Sequence, residues 1–439
     1  MNATPAPKIA AAPGSLTRGL IALIRSKPVS RADLETTALF TLDAVANALA
    51  GRRSPPGEVL LRWAKGRQGD AGRRAFLMGA LTHILEVDDL HRASVVHPGC
   101  VVVPAAFEVG RSVGASGEAV LRAILYGFEA TARVGMSVGR AHYKIWHNTA
   151  TCGPYGSAMA AATLLGLDDD RAMHALGNAG TQSAGLWEFL ATGGMSKHLH
   201  AGRGAEAGVV AAELAAEGFT GPPAILEGPA GLYAGACPDP DPDAVLRDPG
   251  GRWQVHQTSI KPWPSCRHTH PVIDAALELA GQVAADQIAD VRVATYRAAL
   301  DVCDRAEPNS PYEAKFSLQH CVAIALLDGK VGFDSFEADA RGRAAGLRRR
   351  IAVAAGEPYA TRYPKAWGGE VVVSLRDNRQ VVASRAHCKG DPELALSAAE
   401  MMDKARDLLR FAQVPDPEAV VAGVLGMAGG GGIPALPIG

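Results

Sequence analysis

What the chain lacks narrows the field first. It has no surplus of charge: 44 basic against 45 acidic side chains leave a formal net charge of -1, and a near-neutral surface attracts neither nucleic acid nor an anionic membrane. Cysteine is scarce, with seven residues at 100, 152, 237, 266, 303, 321 and 388 and no Cys-x-x-Cys. That excludes a disulfide framework and paired-thiolate zinc, and predicts a reducing, cytoplasmic setting. No stretch approaches the ~18 apolar residues of a membrane span, and Met1 to Lys8 lacks the charged start and apolar run of a secretion signal. Gly193-Gly194 and glycines 429 to 432 fit neither the P-loop nor the dinucleotide fingerprint, and there is no His-Glu-x-x-His helix. Nucleotide cofactors are therefore not expected. Metal is not expected either, although His91 with Asp88 and Asp89, or the His268-x-His270 pair, offers isolated ligands.

What is present is apolar side chain in helical rhythm. With 439 residues, 48% of them hydrophobic, the chain can bury a large core in two or three domains. Ser30 and Asp33 read as a capping box opening a helix whose buried stripe is Ala38, Leu39, Leu42, Val45, Ala46 and Leu49. Further helices are predicted at about 58–66, from Ser116 to about Gly135, and at 155–165, 169–179 and 196–217, with no strand run in this half. Proline and glycine crowd 222–252, which reads as a connection. Beyond it, 291–295, 350–353, 370–375 and 380–382 read as strands, the last two forming a hairpin, and helices at 271–284, 314–328 and 333–345 alternate with them. The fold class is mainly α with a smaller α+β domain. The predicted division is a flexible tail at 1–13, a helical domain at 14–250, the α+β domain at 251–390, and a 391–439 segment whose helix returns to the helical domain before a flexible end.

Chemistry concentrates in four places. Glu86-Val87-Asp88-Asp89-Leu90-His91 continues through His97-Pro98-Gly99 where an apolar helix runs out, a rigid base for aiming several polar groups at one cavity. His142 to Thr149, with His147, is a loop before a small-residue helix. Met195-Ser196-Lys197-His198-Leu199-His200-Ala201-Gly202-Arg203 opens another helix, on which Lys197, His200, Ala201, Gly204 and Gly208 form one stripe. A lysine in a first turn opposes the helix dipole unless a carboxylate binds there. Lys261 to Pro271, with Arg267, His268 and His270, again brings basic groups to a helix start. Cations at helix starts with imidazoles between them suit proton removal next to a carboxylate, because the developing enediolate needs fixed positive charge and the proton needs a group with pKa near neutrality.

These stretches, together with Glu313-Ala314-Lys315-Phe316-Ser317-Leu318-Gln319-His320, resemble the MmgE/PrpD family over about residues 15 to 412. The resemblance implies cofactor-free enzymes of polycarboxylic acids, a large helical domain completed by C-terminal segments plus a smaller α+β domain, and a homodimer. It puts His97, His147, Lys197 and His270 in the pocket as catalytic groups. Glu86, Asp88, Asp89, His91, Arg203, Lys261 and His320 stand beside them as substrate-binding groups. Three positions depart from the family's decarboxylase: Glu86 and Leu90 replace an Asp and a Thr, and His320 replaces a Tyr. The expected activity is a 2-methylcitrate dehydratase-like hydro-lyase acting on a small di- or tricarboxylic acid. Its alternatives are an epimerase, the decarboxylase, a metal-dependent hydrolase and a non-catalytic carboxylate binder. Replacing Lys197 is expected to lower turnover with little effect on folding.

Overall fold

The computed structural model describes residues 14–67 and 69–438; the tail expected at 1–13 lies outside them. The starts of the helices follow local chemistry. Ser30 Oγ accepts from the Asp33 N–H at 3.2 Å while Asp33 Oδ2 accepts from the Ser30 N–H at 2.9 Å, so the capping box opens Arg31–Gly51 as read. Ser116 caps Gly117–Ser137 through the Ala119 N–H.

The chain forms two compact units. One holds residues up to Thr258 and from Ser397 onward, the other Ser259–Leu396; the sequence reading puts these joints at 250/251 and 390/391. The helical unit packs Ala71–Thr82, Gly99–Val113, Asn148–Leu164 and Asp169–Gly180 around Ser196–Ala216, with Gly117–Ser137 against Asn148–Leu164. Close approach is possible because the facing residues are small. Ser157 Oγ reaches the Gly204 carbonyl at 2.6 Å, and a Cβ at Gly208 would stand 2.1 Å from Ser157 Oγ and 2.3 Å from Ala158 N. The C-terminal helix Ala398–Phe411 belongs to this unit, where Lys404 Nζ meets Asp43 Oδ1 at 2.5 Å and the Val87 carbonyl at 2.6 Å. Among the described residues no helix is long and apolar enough to cross a membrane.

Two expectations need correcting. The 222–252 stretch is not a bare connection. Leu226, Ala244 and Val245 are buried, and the buried Arg133 guanidinium donates to the carbonyls of Val245, Arg247 and Asp248, so a side chain satisfies backbone acceptors that no regular element pairs. Nor is the glycine-rich end loose. Pro417–Gly426 is a further helix, the Gly431 carbonyl accepts from the Gly117 N–H at 3.1 Å, Arg111 Nη2 donates to the Pro434 carbonyl, and Ile438 is buried.

The smaller unit is α+β. Its sheet runs in the order 351–355, 288–295, 369–375, 380–385; the first pair is parallel and the others antiparallel. Along Gly369–Leu375 every second residue is buried, the period of a sheet with one covered face, and His270–Ala280 supplies that cover.

Gly208 tests the packing. Gly208→Ala should lower stability by about 3 kcal/mol, the upper range for overpacking against backbone. Chemical denaturation of the variant against wild type measures it.

Candidate active site

The helix Ala71–Thr82 ends at His83, and the chain then turns through Glu86, a non-glycine residue at φ 61°. Such a conformation is costly and persists where the surroundings impose it. Here the constraint is an ion pair: the Glu86 carboxylate holds Lys197 Nζ, with both side chains at 5% exposure or less. The carboxylate that a first-turn lysine calls for is thus supplied by the chain itself.

Around this pair the fold gathers imidazoles. His83 Nδ1 lies 2.6 Å from Asp88 Oδ2, and His97 Nδ1 lies 3.4 Å from the same oxygen and 2.5 Å from the Asp89 carbonyl oxygen. A carbonyl only accepts, so His97 Nδ1 carries the proton and, in the neutral ring, Nε2 carries the lone pair. The His83 ring stands edge-on to His97 with centroids 4.6 Å apart and parallel to His147 at 5.7 Å. His147 Nδ1 is 3.2 Å from His200 Nδ1, so one of these atoms donates and the other accepts. Trp187 closes over His147 at 4.7 Å. The His83 Nε2 and Trp187 Nε1 atoms are buried with no hydrogen-bond partner among the described residues.

Three helix starts meet here. His97 precedes Gly99–Val113, His147 caps Asn148–Leu164, and Lys197 lies in the first turn of Ser196–Ala216. The His97 N–H donates to Thr149 Oγ1 at 3.1 Å and Asn148 Nδ2 to the Ser94 carbonyl, tying the first two together. Burial first, and then the neighbouring His83 and Lys197, hold His147 far below the ordinary histidine range and press His200 down to about 4. The result is that His147 and His200 stand as neutral rings beside three helix starts, a place for an anion.

Within the helical unit, some expected residues serve other partners. The Asp89 carboxylate accepts from the Gly99 N–H at 3.0 and 3.1 Å and so anchors a helix start; burial, then Asp88 and Asp43, raises its pKa well above the usual range. His91 spends both ring nitrogens, on Ser94 Oγ and Gln254 Oε1, and burial lowers it to about 4. Arg203 is half exposed and paired with Glu206 one turn on. Lys261, His270 and His320 belong to the α+β unit and are buried within it. His270 Nε2 is 3.3 Å from the Ser265 carbonyl, and His320 Nε2 donates to the Ser335 carbonyl at 2.8 Å. In the same unit Arg267 is paired with Asp391, again an internal carboxylate where the sequence suggests a cradle for a bound one. Sequence reasoning missed His83, which hides inside the apolar run Phe76 to Leu85, and left His200 on a helix stripe outside the expected site; the one signal for His83 is its place three residues before Glu86.

His83, Asp88 and His97 each offer a ligand atom within 4.8 Å of the others. The His83–Asp88 contact within that trio is itself at hydrogen-bond distance. A second trio, His387, Asp391 and Glu393, is poorer, because Asp391 already serves Arg267, Ser259 Oγ and the Cys388 N–H. A surface cleft of about 640 Å³ beside Lys27, Asp33, Trp253 and His256 contains none of the site groups, and its charges are matched internally, Asp33 with His256 at 2.7 Å and Lys27 with Glu129 at 3.0 Å.

Family models match most of the chain. The MmgE/PrpD N-terminal domain matches residues 20–245 and the MmgE/PrpD C-terminal domain residues 263–421. A cis-aconitate decarboxylase of Aspergillus terreus is 26% identical over 334 residues, which cover 67% of this chain and 68% of that protein. The cis-aconitate decarboxylase of Homo sapiens is 30% identical over 278 residues, covering 60% and 56%, and that of Mus musculus 28% over 283 residues, covering 60% and 56%.

Two measurements follow from the geometry. Lys197→Ala leaves Glu86 buried without its cation, so it should cost about 3–5 kcal/mol of stability, as for other broken buried pairs. This replaces the expectation of little effect on folding; restored stability in the Glu86→Gln, Lys197→Met double variant is the check. Acid should also destabilise the protein. In the unfolded chain these rings take up a proton near ~6.5, whereas folded His91 and His200 do so only at about 4. Between those values the unfolded chain binds more protons, so stability falls as pH drops from about 7 to about 5, read as a falling Tm.

Proposed function

The chain belongs to the MmgE/PrpD family, and from that premise we propose that it is a lyase that removes the proton α to a carboxylate of a small di- or tricarboxylic acid and expels a hydroxyl as water. His97 carries this reading. Its Nδ1–H is spent on the Asp89 carbonyl, so the neutral ring offers Nε2 as a base, and the helix dipole starting at Gly99 favours the negative charge that proton removal creates. Lys197, with Glu86 as its resting partner, is the cation that a substrate carboxylate would share as charge develops on the enediolate. His147, kept neutral, contributes a hydrogen bond without competing for the proton. His270 and Lys261 enter the proposal through the family resemblance alone.

Decarboxylation is the second reading, because the relatives that match are named cis-aconitate decarboxylases. Against it stand Glu86, Leu90 and His320, which replace the acid and the two hydroxyl side chains that the resemblance associates with that reaction.

Incubating the protein in D2O containing a chelator with a panel of hydroxy- and unsaturated polycarboxylates separates the possibilities by proton NMR. Deuterium entering the α-position together with alkene formation is the expected result. Release of carbon dioxide would favour the second reading, exchange with inversion and no net product an epimerase, and loss of all activity on chelation a metal-dependent reaction. His97→Gln should slow the exchange by about 10²- to 10⁴-fold, the usual contribution of a positioned general base. Wild-type rates in that variant would remove His97 from the role.

A further inference from the structure

His83 is completely buried at the end of the Ala71–Thr82 helix, directly after a run of apolar side chains. Its Nδ1 lies 2.6 Å from the Asp88 carboxylate, its ring contacts both His97 and His147, and its Nε2 has no hydrogen-bond partner among the described residues. A buried polar atom left without a partner is unfavourable unless something transient completes it. Trp187 Nε1, whose ring packs against His147 with centroids 4.7 Å apart, is in the same condition. Two unsatisfied atoms beside one imidazole suit a polar ligand. Nδ1–H donation to a carboxylate fixes which nitrogen faces that ligand and stabilises the ring when it is charged.

We propose that His83 is a second catalytic residue, the acid that works opposite His97, with Asp88 holding its Nδ1–H and the substrate's leaving hydroxyl completing its Nε2. This rests on the α-deprotonation reading above. His97 Nε2 takes the α-proton, the electron pair of that C–H bond forms the new C=C bond, and the C–O pair leaves on oxygen. The proton from His83 Nε2 joins that oxygen, and water departs. His83 is then neutral and His97 charged, and proton exchange with solvent resets both rings.

Asparagine at position 83 separates this from a purely structural role. Its side-chain amide can donate to Asp88 as Nδ1–H does, but it has nothing at Nε2 and transfers no proton. In His83→Asn, product formation should fall by about 10²- to 10⁴-fold while the folded protein still exchanges the substrate α-hydrogen with D2O, because the base is elsewhere. His83→Gln, whose amide reaches toward the Nε2 position, should behave likewise. Full turnover in His83→Asn would show that the bond to Asp88 is the whole purpose of the ring and would overturn the proposal. Equal loss of exchange and turnover, or unfolding of both variants, would overturn it too, leaving His83 as the base or as packing. Absence of exchange and product in the wild type across the polycarboxylate panel is a different failure: it sinks the reading of the reaction before His83 is tested.

Discussion

The structure depends on one buried charge pair. Lys197 and Glu86 are removed from water together, and either alone would be a charge that the interior does not tolerate. Their sequence separation means that the pair also acts as a staple, fixing the 86–99 segment to the first turn of the Ser196–Ala216 helix. Glu86 at positive φ is one consequence, since the strain of that turn is offset by the contact it makes possible. Another is the placing of Asp88 and the Asp89 carbonyl, two and three residues along the same short path, against His83 and His97.

The staple also sets the electrostatics. With Lys197 paired to Glu86, three adjacent helix starts add to the positive field, and burial keeps His147 neutral within it. Neutral imidazoles can accept a proton, and charged ones at the same place would repel each other and Lys197. A polyanion beside these rings would favour their protonated forms, because its carboxylates compensate the added charge.

How far the sequence reveals this varies residue by residue. The capping boxes, the small-residue stripe of Gly204 and Gly208 and the α+β character of the second unit are legible because they are local, set by spacing and by side chains a few positions apart. The helix-start positions of His97, His147 and Lys197 are legible too. The partners are not. Glu86 lies 111 positions from Lys197 and Asp391 lies 124 from Arg267, and nothing local distinguishes an internal carboxylate from a bound one. His83 is hidden for the opposite reason: it sits inside an apolar periodicity that predicts a packed helix end, and it is one. The Pro- and Gly-rich stretches at 222–252 and 429–432 mislead because those residues exclude long regular structure without excluding burial, and Arg133 and Gly117 supply the hydrogen bonds that keep them in place.

The choice between water and carbon dioxide as leaving group turns on protons. Carbon dioxide departs from an ionised carboxylate and needs no acid at the bond that breaks, only somewhere for the electrons to go and a proton for the carbon afterwards. A hydroxyl is a poor leaving group until it is protonated, so a dehydratase needs a base on one side of the bond and an acid on the other. The helical unit supplies two imidazoles whose Nδ1 atoms are both committed to fixed acceptors, His83 to Asp88 and His97 to the Asp89 carbonyl. Leu90, almost fully buried, puts an apolar side chain where the resemblance carries a hydroxyl. Hydroxyls orient and hydrogen-bond but hold their protons near neutral pH, whereas imidazoles give and take them. An acid and a base carried on two imidazoles fit a reaction that must move two protons in one turnover.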